Sequence, residues 1–191
     1  MLPKHPHIEL DYAFTIRHAE LDDIEIFYQL VKASDSEFYG YTSTTRDELL
    51  AEWQAPEFDI ARDTRLVFAP NGTLIGFSIL FENKEMPVRP YLWSYVHPEW
   101  RRLGVGTAII EWAQARTKEN IPLIPEDARL TLTTDVYSEN HSSKELLEIL
   151  GFTTSRGSVN MIIELDTPPQ KPNFGGVRGD LLHSYFFGAA G

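Results

Sequence analysis

Between Arg65 and Gly106 the chain changes the way it joins its strands. Arg65–Ala69 and Thr73–Phe81 are apolar, partly β-branched runs separated by Pro70-Asn71-Gly72, a turn that closes an antiparallel hairpin. A third apolar run, Tyr91–Val96, leads instead through a glycine-containing turn at Arg101–Gly106 into a helix. There Val105, Ala108, Ile109, Trp112 and Ala113 follow the helical period. Hairpins need antiparallel neighbours, and strand–helix–strand units need a right-handed parallel crossover. The two together require a mixed sheet with helices packed on it.

The flanking segments extend this reading. Phe14–Arg17 reads as a strand, followed by a helix that Asp22 caps with Glu25 as reciprocal partner and Leu21 and Ile26 as a hydrophobic staple. Its apolar stripe is Ile24, Phe27, Tyr28 and Val31. Ser34–Ser43, with Phe38, Tyr39 and Tyr41, reads as a loop, and Thr45-x-x-Glu48 caps a helix carrying Leu49, Leu50 and Trp53 that stops before Pro56. Leu130–Val136 alternates as a strand, Asn140 starts a helix through Leu146, Leu147 and Leu150, Gly151-Phe152 ends it, and Val159–Leu165 is a last strand. The expected fold is α/β, a mixed, mostly antiparallel central sheet flanked by helices. It forms one domain over residues 12–166, with a leader at 1–11. The Pro/Gly-rich stretch 167–191, with its cluster Leu181, Leu182, Tyr185, Phe186 and Phe187, is expected to be a linker-like tail outside the core.

Charge narrows the partners. The 191 residues carry 28 acidic and 17 basic side chains, a formal charge of −11. That argues against nucleic acid or an anionic membrane as the main partner and favours small cations. The absence of cysteine excludes disulfides, thiolate metal sites and a cysteine nucleophile. No stretch has the roughly 18 apolar residues of a membrane helix, and no signal peptide precedes Phe14, so a cytoplasmic location is expected. His5 and His7 flank a proline near the N-terminus and read as incidental; no metal is expected.

The turn from Arg101 to Thr107 carries the most chemistry. It places free backbone N–H groups and a positive helix end together, glycines at 104 and 106 admit an anion to the backbone, and Arg101 and Arg102 add charge. This is a phosphate-binding arrangement, but neither a Walker loop nor a dinucleotide fingerprint, because the lysine of the first and the third glycine of the second are missing. Val96-x-Pro98-x-x-Arg101-Arg102-x-Gly104-x-Gly106 resembles motif A of the GNAT superfamily of acyl-CoA N-acyltransferases. Asn140-x-x-Ser143-x-x-Leu146-Leu147-x-x-x-Gly151-Phe152 resembles their motif B. The likeness covers about Phe14 to Leu165. The end of the domain, Met161–Pro169, also resembles the junction in tandem, mycothiol-synthase-like acetyltransferases, where a second lobe follows.

The resemblance implies that the amides of Arg102, Leu103, Gly104, Val105, Gly106 and Thr107, beside Arg101, hold the pyrophosphate of coenzyme A. Tyr95 and Val96 would pair with pantetheine along a splayed strand edge, and Asn140 would contact the coenzyme near its pantetheine end. It implies acetyl-CoA as co-substrate, a small-molecule amine as acceptor, and transfer between Tyr91–Val96 and Leu130–Val136. A homodimer or a separate second lobe is the expected assembly.

Acyl transfer needs a neutral nitrogen, help for the carbonyl oxygen and a proton for the thiolate. Amides near Val96 suit the second need. The tyrosine that commonly supplies the proton in this family is replaced by Leu147, with Tyr137 and His141 as candidate substitutes. Asp135 and Glu82, each near a strand end, are candidate bases, and His97 before proline reads as structural. Tyr91, Trp93 and Tyr95 share one strand face, and Phe38, Tyr39 and Tyr41 are candidates for an acceptor wall. The expected function is an acetyl-CoA-dependent N-acetyltransferase. Leu147 leaves open the alternative of a non-catalytic acyl-CoA-binding lobe with a regulatory or assembly role.

Overall fold

Strands β1 (Thr15–Arg17), β2 (Thr64–Phe68), β3 (Leu74–Phe81), β4 (Tyr91–Val96), β5 (Leu130–Tyr137), β6 (Thr153–Ile162) and β7 (Arg178–Ala189) form one sheet in the order β1-β2-β3-β4-β5-β7-β6. Every pairing is antiparallel except β4 with β5. The helices are α1 (Ile24–Phe38), α2 (Arg46–Trp53), α3 (Ile60–Asp63), α4 (Val105–Lys118) and α5 (His141–Ile149). This computed structural model describes residues 13–38, 40–42, 44–162 and 178–189. Among them no helix is long and apolar enough to cross a membrane.

Strand periodicity sorts the core into two layers. On the face covered by α4 and α5, Val67, Ile75, Leu80, Leu92, Leu132 and Val136 pack with Ile109, Ala113, Leu147 and Phe152. On the other face Leu66, Phe68, Phe77, Ile79 and Tyr95 pack with Phe27, Leu30 and Val31 of α1 and Leu49 and Trp53 of α2. The hairpin turn closes as expected, with Gly72 at φ 82° and its N–H donating to Ala69 O at 2.8 Å.

The parallel pair positions the site. Thr131 and Thr133 N–H donate to Val88 and Pro90 O, both at 2.9 Å, and β4 and β5 then pair only at Tyr91↔Thr133. Beyond that point the strands diverge. The sheet therefore has a gap in its middle, zipped at the Tyr91 end and open at the Val96 end.

Several sequence expectations are corrected. Glu20, not Asp22, caps the first helical turn, with Asp23 as reciprocal partner because Arg17 holds its carboxylate at 2.6 and 2.7 Å. Leu21 and Ile26 are exposed, so no staple forms, and Leu30 takes the buried place expected for Tyr28, which is half-buried. Helix α1 continues through the expected loop to Phe38, because Ser34 is small enough to stay buried on the stripe that Val31 begins. The short α3, capped by Asp59, has no counterpart in the sequence reading.

The largest correction concerns the tail. Arg178–Ala189 is not linker but β7, which inserts between β5 and β6 with register Leu130↔Ala189 to Tyr137↔Leu182 on one side and Thr153↔Phe186 to Ile162↔Arg178 on the other. Tyr185 is buried in the α4/α5 core, and Phe187 packs against Phe152 with ring centroids 5.6 Å apart. An interior strand needs hydrogen-bonding partners on both edges, and β7 supplies the second edge of β5. The leader 1–11, position 12, positions 163–177 and 190–191, Tyr39 and Ser43 lie outside the described residues.

Candidate functional site

Where β4 and β5 part, a cavity of about 730 Å³ is lined by elements from both faces of the sheet. Gly104, Gly106, Thr107, Asn140, Leu146 and Leu147 line it from the α4/α5 side; Ser34, Asp35 and Phe38 line it from α1. The cavity thus runs through the sheet.

The turn entering α4 is shaped by two left-handed residues, Arg102 at φ 61° and Gly104 at φ 80°. Only the second is a glycine, and it is the N-cap of α4. The first helical bond is Ala108 N–H to Gly104 O at 3.0 Å, so the amides of Val105, Gly106 and Thr107 precede the hydrogen-bonded ladder. They leave three N–H donors free of the helical ladder at the positive end of a 14-residue helix, an arrangement that suits an anion. A Cβ on Gly106 would lie 2.9 Å from Leu146 Cδ2, which assigns that glycine to the close approach of α4 and α5 as well. Val105 contributes only its amide, since its side chain is core, and Leu103 does not line the cavity.

Arg101 lies at the cavity with its charge already engaged. Its guanidinium grips Glu37 of α1 through both terminal nitrogens, at 2.8 and 2.6 Å, and its Nε donates to Val96 O at 3.1 Å. The Tyr95 hydroxyl donates to the same carboxylate at 3.0 Å, and burial together with Glu37 pushes that phenol well above its ordinary range. Arg102 is exposed and has no carboxylate partner among the described residues.

Register decides what the open edge of β4 offers. His97 N–H donates to Ile75 O at 2.9 Å beside the Val96↔Gly76 pair, which makes that pair the non-hydrogen-bonded kind. Ser94 and Val96 therefore turn their backbone groups toward β5, while the backbone of Tyr95 pairs with Phe77. This corrects the expectation for Tyr95: its side chain lines the cavity, but its peptide groups belong to β3. Ser94 takes that place on the edge.

The candidate catalytic residues separate. Asp135 lines the cavity from an exposed position on β5, and Tyr137 lines it with its ring stacked on Phe38 at 4.6 Å and 10°. Glu82 is not at the cavity. It is buried at the zipped end, accepting from Arg116 at 2.8 Å and Asn120 at 2.7 Å, so its position as a base is corrected to a structural one. His141 is exposed outside the cavity, and His97 Nδ1 accepts from Glu99 N–H at 3.4 Å as a cap. Asn140 caps α5, its side-chain oxygen accepting from Ser143 N–H at 3.1 Å, and lines the cavity with its remaining surface. Leu147 is 3% exposed and packs in the core beside the cavity.

Tyr91, Trp93 and Tyr95 all line the cavity, and Trp93 and Tyr95 also pack on Phe77 with centroids 5.0 and 6.4 Å away. Tyr41 is exposed and away from it. Asp35, Ser34, Glu37 and Thr134 escaped the sequence reading because the segment from Ser34 was read as loop and Thr134 as an ordinary strand residue. The signal for α1 was present in the spacing of Val31, Ser34 and Phe38. Burial pushes the Asp35 carboxyl above its ordinary range, and it makes no ion pair among the described residues. Nor does any group of three or more His, Asp or Glu among those residues form a metal site.

The acetyltransferase (GNAT) family model matches residues 27–152. A GCN5-related N-acetyltransferase from Sphaerobacter thermophilus has a TM-score of 0.73 and 25% identity over 84% of this chain, which spans 50% of that protein's length. A spermidine N-acetyltransferase from Vibrio cholerae, solved with CoA and spermine, shares the fold at TM-score 0.62 and 18% identity, over 92% of this chain and 95% of its own. The ribosomal-protein-S18-alanine N-acetyltransferase from Escherichia coli does so at 0.60 and 19%, over 93% and 96%. No curated protein sequence matches the chain.

Proposed function

The chain belongs to the acetyltransferase (GNAT) family, and from that premise we propose that it transfers an acetyl group from acetyl-CoA to a small cationic amine in the gap between β4 and β5. The observation that carries this reading is the cavity itself. It joins an anion-receptor turn on one face of the sheet to two carboxylates, Asp35 and Asp135, that have no ion-pair partner among the described residues.

The residues present fit coenzyme A. The amides of Val105, Gly106 and Thr107 and the Arg102 side chain would hold its pyrophosphate, and the outward-turned groups of Ser94 would hold its pantetheine, since Arg101 Nε takes the Val96 carbonyl. When bound, its thioester supplies the acyl group. Val96 N–H, on the open edge, is placed to donate to a carbonyl oxygen. Asp35 and Asp135 attract an ammonium, and the raised affinity of Asp35 for protons suits it to take one from the acceptor nitrogen, directly or through water. Phe38, Tyr137 and Trp93 add aromatic faces that favour a cation.

A second reading, a non-catalytic acyl-CoA-binding lobe, draws support from Leu147, a buried hydrocarbon where the family's motif B commonly has its acid. The deciding experiment pairs a thermal shift with an amine panel that reads free coenzyme A thiol. At a hundredfold excess over Kd the coenzyme should add about 2.7 kcal/mol of stability, and di- or polyamines should release thiol. Binding without release from any amine selects the lobe; the absence of any shift at saturation rejects both readings.

A further inference from the structure

We infer that Glu37, Arg101 and Tyr95 form a brace that pins the phosphate-facing turn and the open edge of β4 to the end of α1, so that Arg101 is a positioning residue rather than a phosphate ligand. The inference rests on the proposed coenzyme site. Its geometry is a closed set of contacts across 64 residues of sequence, in which Arg101 presents both terminal nitrogens to Glu37 at 2.8 and 2.6 Å. A bidentate fork of this kind is the arrangement in which a partly exposed pair does contribute. The Tyr95 hydroxyl adds a third hydrogen bond to the carboxylate at 3.0 Å, and the guanidinium lies 5.8 Å from the Tyr95 ring centroid.

Two consequences follow for the ligand. The positive charge of Arg101 is compensated by Glu37, which leaves Arg102 as the cation available in the turn. The Nε contact at 3.1 Å occupies the Val96 carbonyl, so that the last residue of the open edge presents its N–H without a competing acceptor beside it. Meanwhile α1 carries Ser34, Asp35 and Phe38 into the cavity within one turn of Glu37. Holding Glu37 to Arg101 therefore fixes the acceptor wall relative to the amides that face the phosphates, and an error in that spacing misplaces the reacting groups.

The brace and a phosphate-ligand role predict opposite signs for one substitution. Removal of Glu37 would free Arg101 to reach phosphate and tighten coenzyme binding if Arg101 were a ligand. If Arg101 positions, Glu37→Ala weakens binding. Titration calorimetry with CoA should show Kd rising about tenfold for Glu37→Ala and for Arg101→Ala, with the double variant no worse than either alone. Arg101→Lys keeps the charge but loses the fork, and should bind CoA as poorly as Arg101→Ala. The turnover loss in Arg101→Ala should be the same with S-acetylpantetheine, which has no pyrophosphate, as with acetyl-CoA. Tighter CoA binding by Glu37→Ala or Glu37→Gln, rescue by Arg101→Lys, or a loss confined to acetyl-CoA would each overturn the brace. Absence of CoA binding by the wild-type protein would instead remove the proposed function on which it stands.

Discussion

The two ends of the β4–β5 gap differ in what they leave free: at the open end Arg101 and Tyr95 hold Glu37, but Asp35 and Asp135 have no ion-pair partner among the described residues, whereas the zipped end engages its carboxylates fully. At the zipped end, Arg116 Nη2 donates to Asp63 and to Glu82, both at 2.8 Å, Asn120 donates to Glu82 at 2.7 Å, and Lys84 closes the cluster. Burial opposes the charge of Glu82, but the Asn120 and Arg116 hydrogen bonds outweigh it and hold that carboxyl below its usual range. At the open end burial acts on Asp35 without such compensation, and its carboxyl is pushed up. A carboxylate saturated by donors holds elements together. One left short of donors has capacity for a ligand or a proton. Both kinds stand on helices or near strand ends in the sequence, Asp63 on α3 and Glu82 after β3 against Asp35 on α1 and Asp135 on β5, so residue type and position alone do not separate them.

The most severe way to test the division is to remove one lip of the gap. Deleting residues 178–191 takes β7 from between β5 and β6, exposes the full edge of β5 and strands β6. Chemical denaturation should then show no cooperative transition, whereas a native-like transition with retained CoA binding would show that β5 holds its place unaided.

Arg116→Met comes next in size. It leaves the buried Asp63 and Glu82 with the partly exposed Lys84 as their remaining shared cation, a loss toward the lower end of about 3–5 kcal/mol, read as a fall in denaturation midpoint. The fraction that remains folded should bind CoA with unchanged Kd, because the cluster lies outside the cavity; a weakened Kd would join the two ends functionally.

Gly106→Ala probes the floor of the open end. The added methyl meets Leu146 Cδ2, the far end of a half-buried side chain, at 2.9 Å, so Leu146 must shift, at a cost of about 1 kcal/mol, the low end of overpacking. The loss in melting temperature should be smaller in a Leu146→Ala background. Equal losses in both would place the strain elsewhere.

The smallest effects carry the sharpest contrast, since they differ in sign. Glu82 has a folded pKa below its unfolded one, so its stabilisation is present above the unfolded value and is lost as pH falls through the folded value. Asp35 has a folded pKa above its unfolded one. Its contribution is whole below the unfolded value and is lost as pH rises through the raised folded value. Melting temperature measured against pH should therefore fall at neutral pH for Glu82→Gln and rise slightly for Asp35→Asn, with both differences shrinking in acid. Asp35→Asn should also lose turnover. A lower melting temperature for Asp35→Asn at pH 7 would place Asp35 with the structural carboxylates.

What the sequence determined by itself was set by local rules. Pro70-Asn71-Gly72 could close only a hairpin, the Thr45–Glu48 box fixed the start of α2, and the Gly104–Thr107 turn placed three free amides at a helix end, because each depends on residues a few positions apart. The tertiary structure decided what depends on partners far along the chain. It placed β7 between β5 and β6 despite the proline-rich stretch before it, because a strand is selected by the edges it satisfies as much as by its own composition. It turned Ser94 and Val96 rather than Tyr95 toward the gap through the register with β3. It gave Arg101 to Glu37 and Glu82 to Arg116, 64 and 34 residues away. A charge acts on whatever the fold brings within a few ångströms of it, and sequence spacing does not carry that distance.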